Sequence, residues 1–334
     1  MRSLLCGLSL LLGAAAPASL HAQAPRLPPT DRVRLAEGRQ LAAQVCARLW
    51  PGWARTTFQT LLVGDSVEFL VAPERPPSGF TRLGYDSVLR AEVWTRPRQF
   101  PPTLLATFPA VGGVPTIVIG SAERTGKSST AWVLTLLHEH FHQWQYSRPG
   151  YQDGVSRLDL ARGDSTGQWM LNYPFPYDSA PVQRAMRSLA TALTRALDAR
   201  PSERRPALQA VSAIRDSLRA LLPAADYRYF EFQLWQEGVA RFTEYAVAKA
   251  AAGRRPAAGF RRLPDYEPYR DAGEAALRKL RRELEQLDLA QQRRVAFYPI
   301  GASLALLLEA TRPDWKREYA RRPFSLPDLT TRSR

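Results

Sequence analysis

The sequence predicts an α+β protein, a small mixed or antiparallel sheet followed by a mostly helical lobe. Two observations carry this. From Thr60 to Gly120 the chain falls into short β-rich runs broken by Pro and Gly. Beyond Ala180 the apolar residues recur at helical spacing over long stretches. Between the two regions lies a third helical pattern, Trp132, Val133, Leu136, Leu137, Phe141 and Trp144, which carries three of the chain's four histidines.

In order, residues 1–22 read as an export signal. Arg2 is followed by an apolar run from Leu4 to Leu12 and a small-residue region from Ala14 to Ala24, with cleavage expected near Ala22. The run is too short to span a bilayer, and Ala302 to Leu308 is shorter still and ends at Glu309, so an exported, soluble chain with no stable membrane anchor is expected. Losing the signal removes Cys6. Cys46 then remains alone among Leu41, Val45 and Leu49, where a buried structural thiol is expected rather than a disulfide. Residues 23–120 should form an N-terminal lobe. It opens with a helix from Thr30 to Leu49, ended by Pro51-Gly52, and continues with strands at Leu61–Val63, Val67–Val71, Val88–Thr95, Thr103–Phe108 and Pro115–Ile119. Gly64-Asp65-Ser66 joins the first two strands as a hairpin. Gly120 and Gly126-Lys127-Ser128 approach a phosphate-binding loop, but five residues separate the glycines where four are required, so a turn and helix cap fit better.

Residues 121–334 should form the helical lobe. After the histidine-bearing helix, Arg148 to Pro181 is irregular and rich in Gly, Asp, Pro and aromatic residues, as befits a loop lying over a site. Helices are then expected at Ala180–Leu197, Glu203–Leu222, Ala225–Ala252, Gly273–Leu287 and Pro299–Thr311. The formal charge is +15 and comes almost wholly from arginine. These arginines are scattered along helices among acids, as from Arg278 to Glu285, with no nucleic-acid motif, so no nucleic-acid partner is expected.

The chemistry concentrates at His138-Glu139-His140-Phe141-His142, which reads His-Glu-x-x-His. On a helix His138 and His142 stand one turn apart on one face, where two imidazoles can hold one metal ion. Glu139 stands beside them, within reach of a water on that ion. Without a metal, two histidines on an apolar face would each need another polar partner. His140 points elsewhere and is read as packing or surface.

Two histidines leave a metal short of ligands, and the best source of a third is Leu234-Trp235-Gln236-Glu237-Gly238-Val239-Ala240-Arg241-Phe242-Thr243-Glu244-Tyr245. Together, His-Glu-x-x-His-Gln-Trp and Trp-x-Glu-Gly-x-Ala-x-x-x-Glu-Tyr resemble the gluzincin metallopeptidases, and locally the zinc aminopeptidases among them. The resemblance implies a zincin-like catalytic lobe, Zn2+ as cofactor, and Glu237 as the third ligand. Gly238 would let two metal-bearing helices approach closely. Glu244 is open to two readings, a partner behind the ligands or a surface ion pair, and Glu231 is read as surface. Phe297-Tyr298-Pro299-Ile300-Gly301-Ala302 is similar to a third segment of the aminopeptidases, implying that Tyr298 donates to the oxyanion of the reaction; the alternative is a buried packing tyrosine. By the same analogy, Pro115–Ile119 would be the sheet edge along which an extended substrate pairs.

The sequence also departs from the aminopeptidases. His142 and Glu237 lie far apart, Ile300 stands where those enzymes carry Lys, and Val111-Gly112-Gly113-Val114-Pro115 replaces their amino-end recognition segment. The three similar segments fall within residues 110–310 and point to the clan rather than to aminopeptidase activity. The expected function is hydrolysis of peptide bonds in a peptide or protein, with Glu139 as general base. The alternatives are an exported zinc-bearing binding protein without catalysis, against which Glu139 argues, and a zinc hydrolase of a non-peptide amide.

Overall fold

The computed structural model describes residues 25–330, so the expected export signal and Cys6 lie outside the described residues. Helix α1 (Pro29–Leu49) turns its apolar side inward, and Trp50 extends the chain beyond it into the core. Arg34 on α1 reaches Glu123 at 2.7 Å, Asp31 at 3.1 Å and the Ser129 hydroxyl at 2.8 Å. That cluster fastens α1 to the start of the histidine-bearing helix.

Six strands follow: β1 (Thr60–Val63), β2 (Val67–Val71), β3 (Thr81–Asp86), β4 (Ala91–Pro97), β5 (Leu105–Val111) and β6 (Val114–Gly120). They form one sheet in the order β3-β4-β2-β1-β6-β5. The sheet is mixed, because β1 and β6 run parallel while every other pair is antiparallel. The expected hairpin joins β1 to β2, with Val63 opposite Glu68. Side chains alternate across the sheet. Leu62, Phe69, Val71, Val93, Ile117 and Ile119 enter the main core, while Leu61, Val63, Leu70 and Val118 face a smaller apolar cluster on the other side.

Strand β3 is absent from the sequence expectation, and its residues are mostly exposed or half-buried, which leaves no apolar alternation to read. The expected strand from Val88 starts later, at Ala91. The Asp86 carboxylate accepts the Val88 and Leu89 N–H groups and holds that stretch as a turn. One expectation is overturned outright. Pro115–Ile119 is not a sheet edge, since β6 is paired on both sides, and the edge belongs to β5.

The helices that follow are α2 (Ser129–Tyr146), α3 (Tyr151–Arg157), α4 (Trp169–Asn172), α5 (Ala180–Asp198), α6 (Pro201–Leu221), α7 (Ala224–Gln233), α8 (Val239–Ala251), α9 (Ala258–Arg261), α10 (Tyr269–Glu285), α11 (Leu289–Gln292), α12 (Phe297–Thr311) and α13 (Trp315–Arg321). Helix α2 packs on β5 and β6 from one side and against α1 and α8 from the other. It is buried almost throughout. Its N-terminus is capped by Ser128, as the turn-and-cap reading of that stretch requires, and Asp265 accepts the Ser129 N–H at 2.8 Å. Gly120, the other residue of the near-miss phosphate loop, has a steric explanation: a Cβ there would collide with the Pro102 carbonyl. No helix among the described residues is long and apolar enough to cross a membrane.

Ala225–Ala252 is expected as one helix, and here the structure differs. Leu234–Gly238 forms a π-helical turn between α7 and α8. Such a turn widens the helix locally and is common where a functional side chain is presented.

Candidate metal centre

Helix α2 carries His138 and His142 one turn apart, with ring centroids 4.9 Å apart. Both are buried, as is Glu139. Donor atoms of His138, Glu139 and His142 all lie within 4.8 Å of one another. The π turn brings Glu237 to the same point. Its Oε2 lies 3.8 Å from His138 Nε2 and 3.5 Å from His142 Nε2.

These two distances bear on what the site can hold. A good N–H···O bond spans about 2.7–3.2 Å, so neither contact is one. Zinc with bonds of about 2.0–2.1 Å to a tetrahedral donor set separates the donors by about 3.3 Å along each edge. The carboxylate oxygen stands from each imidazole nitrogen at close to such an edge, and two nitrogens with one oxygen are a donor set zinc accepts.

Both imidazoles are anchored through the same ring atom. His138 Nδ1 lies 2.8 Å from Glu244 Oε1, and His142 Nδ1 lies 2.6 Å from Gln145 Oε1. Gln145 is locked with its oxygen toward His142, because its amide nitrogen donates to the Trp235 and Gln236 carbonyls and to the Tyr319 hydroxyl. Each imidazole is thus anchored through Nδ1, with the Gln236 amide nitrogen also 3.1 Å from that atom of His142, and each turns Nε2 toward Glu237. Glu244 is held in turn by Arg241 at 3.2 Å, and Arg241 by Glu283. Glu244 thus stands behind His138 and is ion-paired with Arg241, inside the protein rather than at its surface.

Three carboxylates, Glu139, Glu237 and Glu244, surround these two imidazoles. Burial opposes charging His138, yet Glu237 and Glu244 outweigh it and hold that imidazole up at about 10. Burial likewise opposes ionising Glu237, and the two imidazoles outweigh it, holding the carboxyl well below its ordinary range. The pocket favours positive charge.

Glu139 Oε2 receives the Thr107 hydroxyl at 2.8 Å, which ties the expected base to edge strand β5. Across the site, Tyr298 lies at the start of α12, and its hydroxyl accepts from Arg294 Nη1 at 2.7 Å. Burial first, and then the charge of Glu237, push the Tyr298 phenol well above its usual value, so it keeps its proton to donate. His140 is buried against Phe58, ring on ring at 4.0 Å, and burial pushes its imidazole down to about 4. It packs and takes no part in the centre.

Two residues have other roles than expected. Gly238 does not admit the histidine helix; it meets α12, where a Cβ would stand 2.4 Å from Gly301 Cα. The crossing of Gly238 and Gly301 sets α12, and with it Tyr298, beside the π turn. Glu231 is not at the surface. It is buried, with Arg215 at 2.9 Å and the Tyr227 hydroxyl at 2.8 Å, and it does not touch the ligand histidines.

The site opens into a cleft of about 780 Å³. Residues of β5 form one wall, and the stretch from Ser165 to Leu171 another, which is where the irregular segment was expected to lie. Sequence reasoning missed Gln145, Thr107 and Arg294. Of these only Gln145 left a local signal, standing three residues after His142 on the same helix.

No protein-family model matches the chain, and neither a curated protein nor a solved structure matches it. The functional reading therefore stands on the residues and their geometry.

Proposed function

We propose that the chain is a zinc-dependent metallopeptidase of the gluzincin type, its helical part a zincin-like catalytic lobe. The observation that carries this is the distance of Glu237 Oε2 from His138 Nε2 and from His142 Nε2, too long for hydrogen bonds and close to the edges of a tetrahedral zinc site. These three residues would hold the ion. Bound there, zinc would supply Lewis acidity toward a carbonyl oxygen and bring the pKa of a water it holds toward neutrality.

Glu139, oriented by Thr107, takes the proton of the attacking water and passes it to the leaving amine. Tyr298 donates its hydroxyl proton to the carbonyl oxygen as charge gathers there. Arg294 occupies an acceptor position of that hydroxyl, which leaves its proton available to donate. Strand β5, as the free edge beside Glu139, offers its backbone to an extended peptide. The leader sequence fits an exported enzyme acting on peptides or proteins outside the cytoplasm.

The test is cleavage of a complex peptide mixture by the zinc-loaded mature chain and by its Glu139→Gln variant, read by mass spectrometry. Half the mixture carries blocked amino ends. Cutting by the unaltered chain alone supports the proposal, and the cut positions separate internal from terminal action. Failure to bind zinc, or zinc binding that survives Glu237→Ala undiminished, would overturn it. Zinc binding with no cutting by either chain would instead favour a binding protein or a hydrolase of non-peptide amides.

A further inference from the structure

Lys127 has no part in the chemistry above, yet it lines the same cleft as His138 and Glu139. It stands immediately ahead of the Ser128 cap of α2 and is half-buried. The other two cations lining the cleft are engaged, Arg241 by Glu244 and Glu283, and Arg294 by the Tyr298 hydroxyl. Lys127 has no carboxylate in ion-pair contact among the described residues; Glu244 and Glu139 act on it only from a distance, and burial is the main influence on its ammonium. Its stem is half-buried, while its ammonium stays open to solvent and free to meet a ligand. What it faces is a substrate-sized cavity.

The charge of the cavity points the same way. Lys127, Arg241 and Arg294 balance Glu139, Glu237 and Glu244 among its lining residues. A bound Zn2+ would leave the cleft with a net charge of about +2, which favours anionic ligands.

Resting on the proposed peptidase reading, we propose that Lys127 is a specificity-determining residue whose ammonium receives a substrate carboxylate. The preferred substrates are then peptides bearing a carboxylate near the scissile bond, either an acidic side chain or a free C-terminus. Lysine suits the task as a compact charge on a flexible stem, able to meet a carboxylate in more than one pose.

The experiment uses the zinc-loaded chain carrying Glu139→Gln, which should bind without turning over, and calorimetry with four matched hexapeptides. One pair differs by Glu against Gln, the other by a free against an amidated C-terminus. Binding at least tenfold tighter for the carboxylate member of a pair is expected. The pair that shows it names the source. Adding Lys127→Met should erase that ratio, and Lys127→Glu should invert it. Equal binding within both pairs, a ratio unchanged in Lys127→Met, or no binding of any peptide overturns the proposal.

The same peptides are then given to the chain with Glu139 intact. A Lys127-dependent carboxylate preference without cleavage would remove the peptidase reading and keep the carboxylate site. Cleavage with no such preference would do the reverse.

Discussion

At the scale of single residues, the centre is organised by groups that never touch a metal. Glu244 and Gln145 each fix one imidazole through Nδ1, so that the Nε2 atoms of both proposed ligands are held toward Glu237. Replacing Glu244 by Gln should keep the fold and weaken zinc binding by about 10–100-fold, measured by competition with a chelator of known affinity. Tyr298→Phe removes one donor and leaves the ring. Under the proposed mechanism it should lower kcat about a hundredfold with KM little changed, in steady-state kinetics on a peptide found by the cleavage screen. The residues that announced this chemistry were readable because His and Glu on an apolar helix stand out from their surroundings. Glu231 misled for the opposite reason. A carboxylate in a helix reads as surface, and its burial depends on Arg215, on another helix, closing over it.

At the scale of elements, two contacts position the site. The first is the crossing of Gly238 and Gly301, where a Cβ on Gly301 would stand 2.7 Å from Gly238 Cα and 2.8 Å from the Leu234 carbonyl. Gly301→Ala should cost about 1–3 kcal/mol in thermal or denaturant unfolding. It should also weaken zinc binding, since relief of the clash displaces the π turn that carries Glu237. The second is Asp265, which accepts both the N–H and the hydroxyl of Ser129 at the start of α2. Burial opposes its ionisation, but these hydrogen bonds outweigh it and hold its carboxyl below the ordinary range. The stability it contributes is therefore present above the unfolded-state pKa of about 3.9 and is lost as pH falls through the lower folded value. Asp265→Ala should destabilise the chain by about 1 kcal/mol near neutrality and by little at pH 2, seen as a flatter acid limb of the unfolding profile. The π turn itself was illegible in the sequence. Its residues are ordinary helix formers, and the extra residue in the turn is accommodated by the packing of Trp235, Gly238 and α12, which periodicity does not report.

At the scale of the whole molecule, the α+β class and most helices could be read from periodicity, because helices such as α5 and α10 have one buried stripe. The sheet was legible only in part. Strand order needs pairing between distant segments, so the identity of the free edge, β5 rather than β6, was out of reach of local pattern. The exposed β3 gave no alternation at all. The core that results joins α1, one face of the sheet and the later helices in a single apolar cluster. Glu231 and Arg215 are buried within the helical part of that assembly. Glu231→Ala should cost about 3–5 kcal/mol in unfolding free energy, since it strands the guanidinium without its partner.

The ordering of the site along the chain also sets when it can exist. His138 and His142 come first, Glu237 about 95 residues later, and Tyr298 about 60 residues after that. The turn that carries Glu237 is braced by α12, so the proposed ligand and Tyr298 are set in place together, once α12 has formed. A chain halted at residue 290 holds every proposed ligand and yet lacks the segment that sets them in place. Under the proposed reading this is a safeguard: a chain without α12 would hold the residues for cutting polypeptides but not their arrangement.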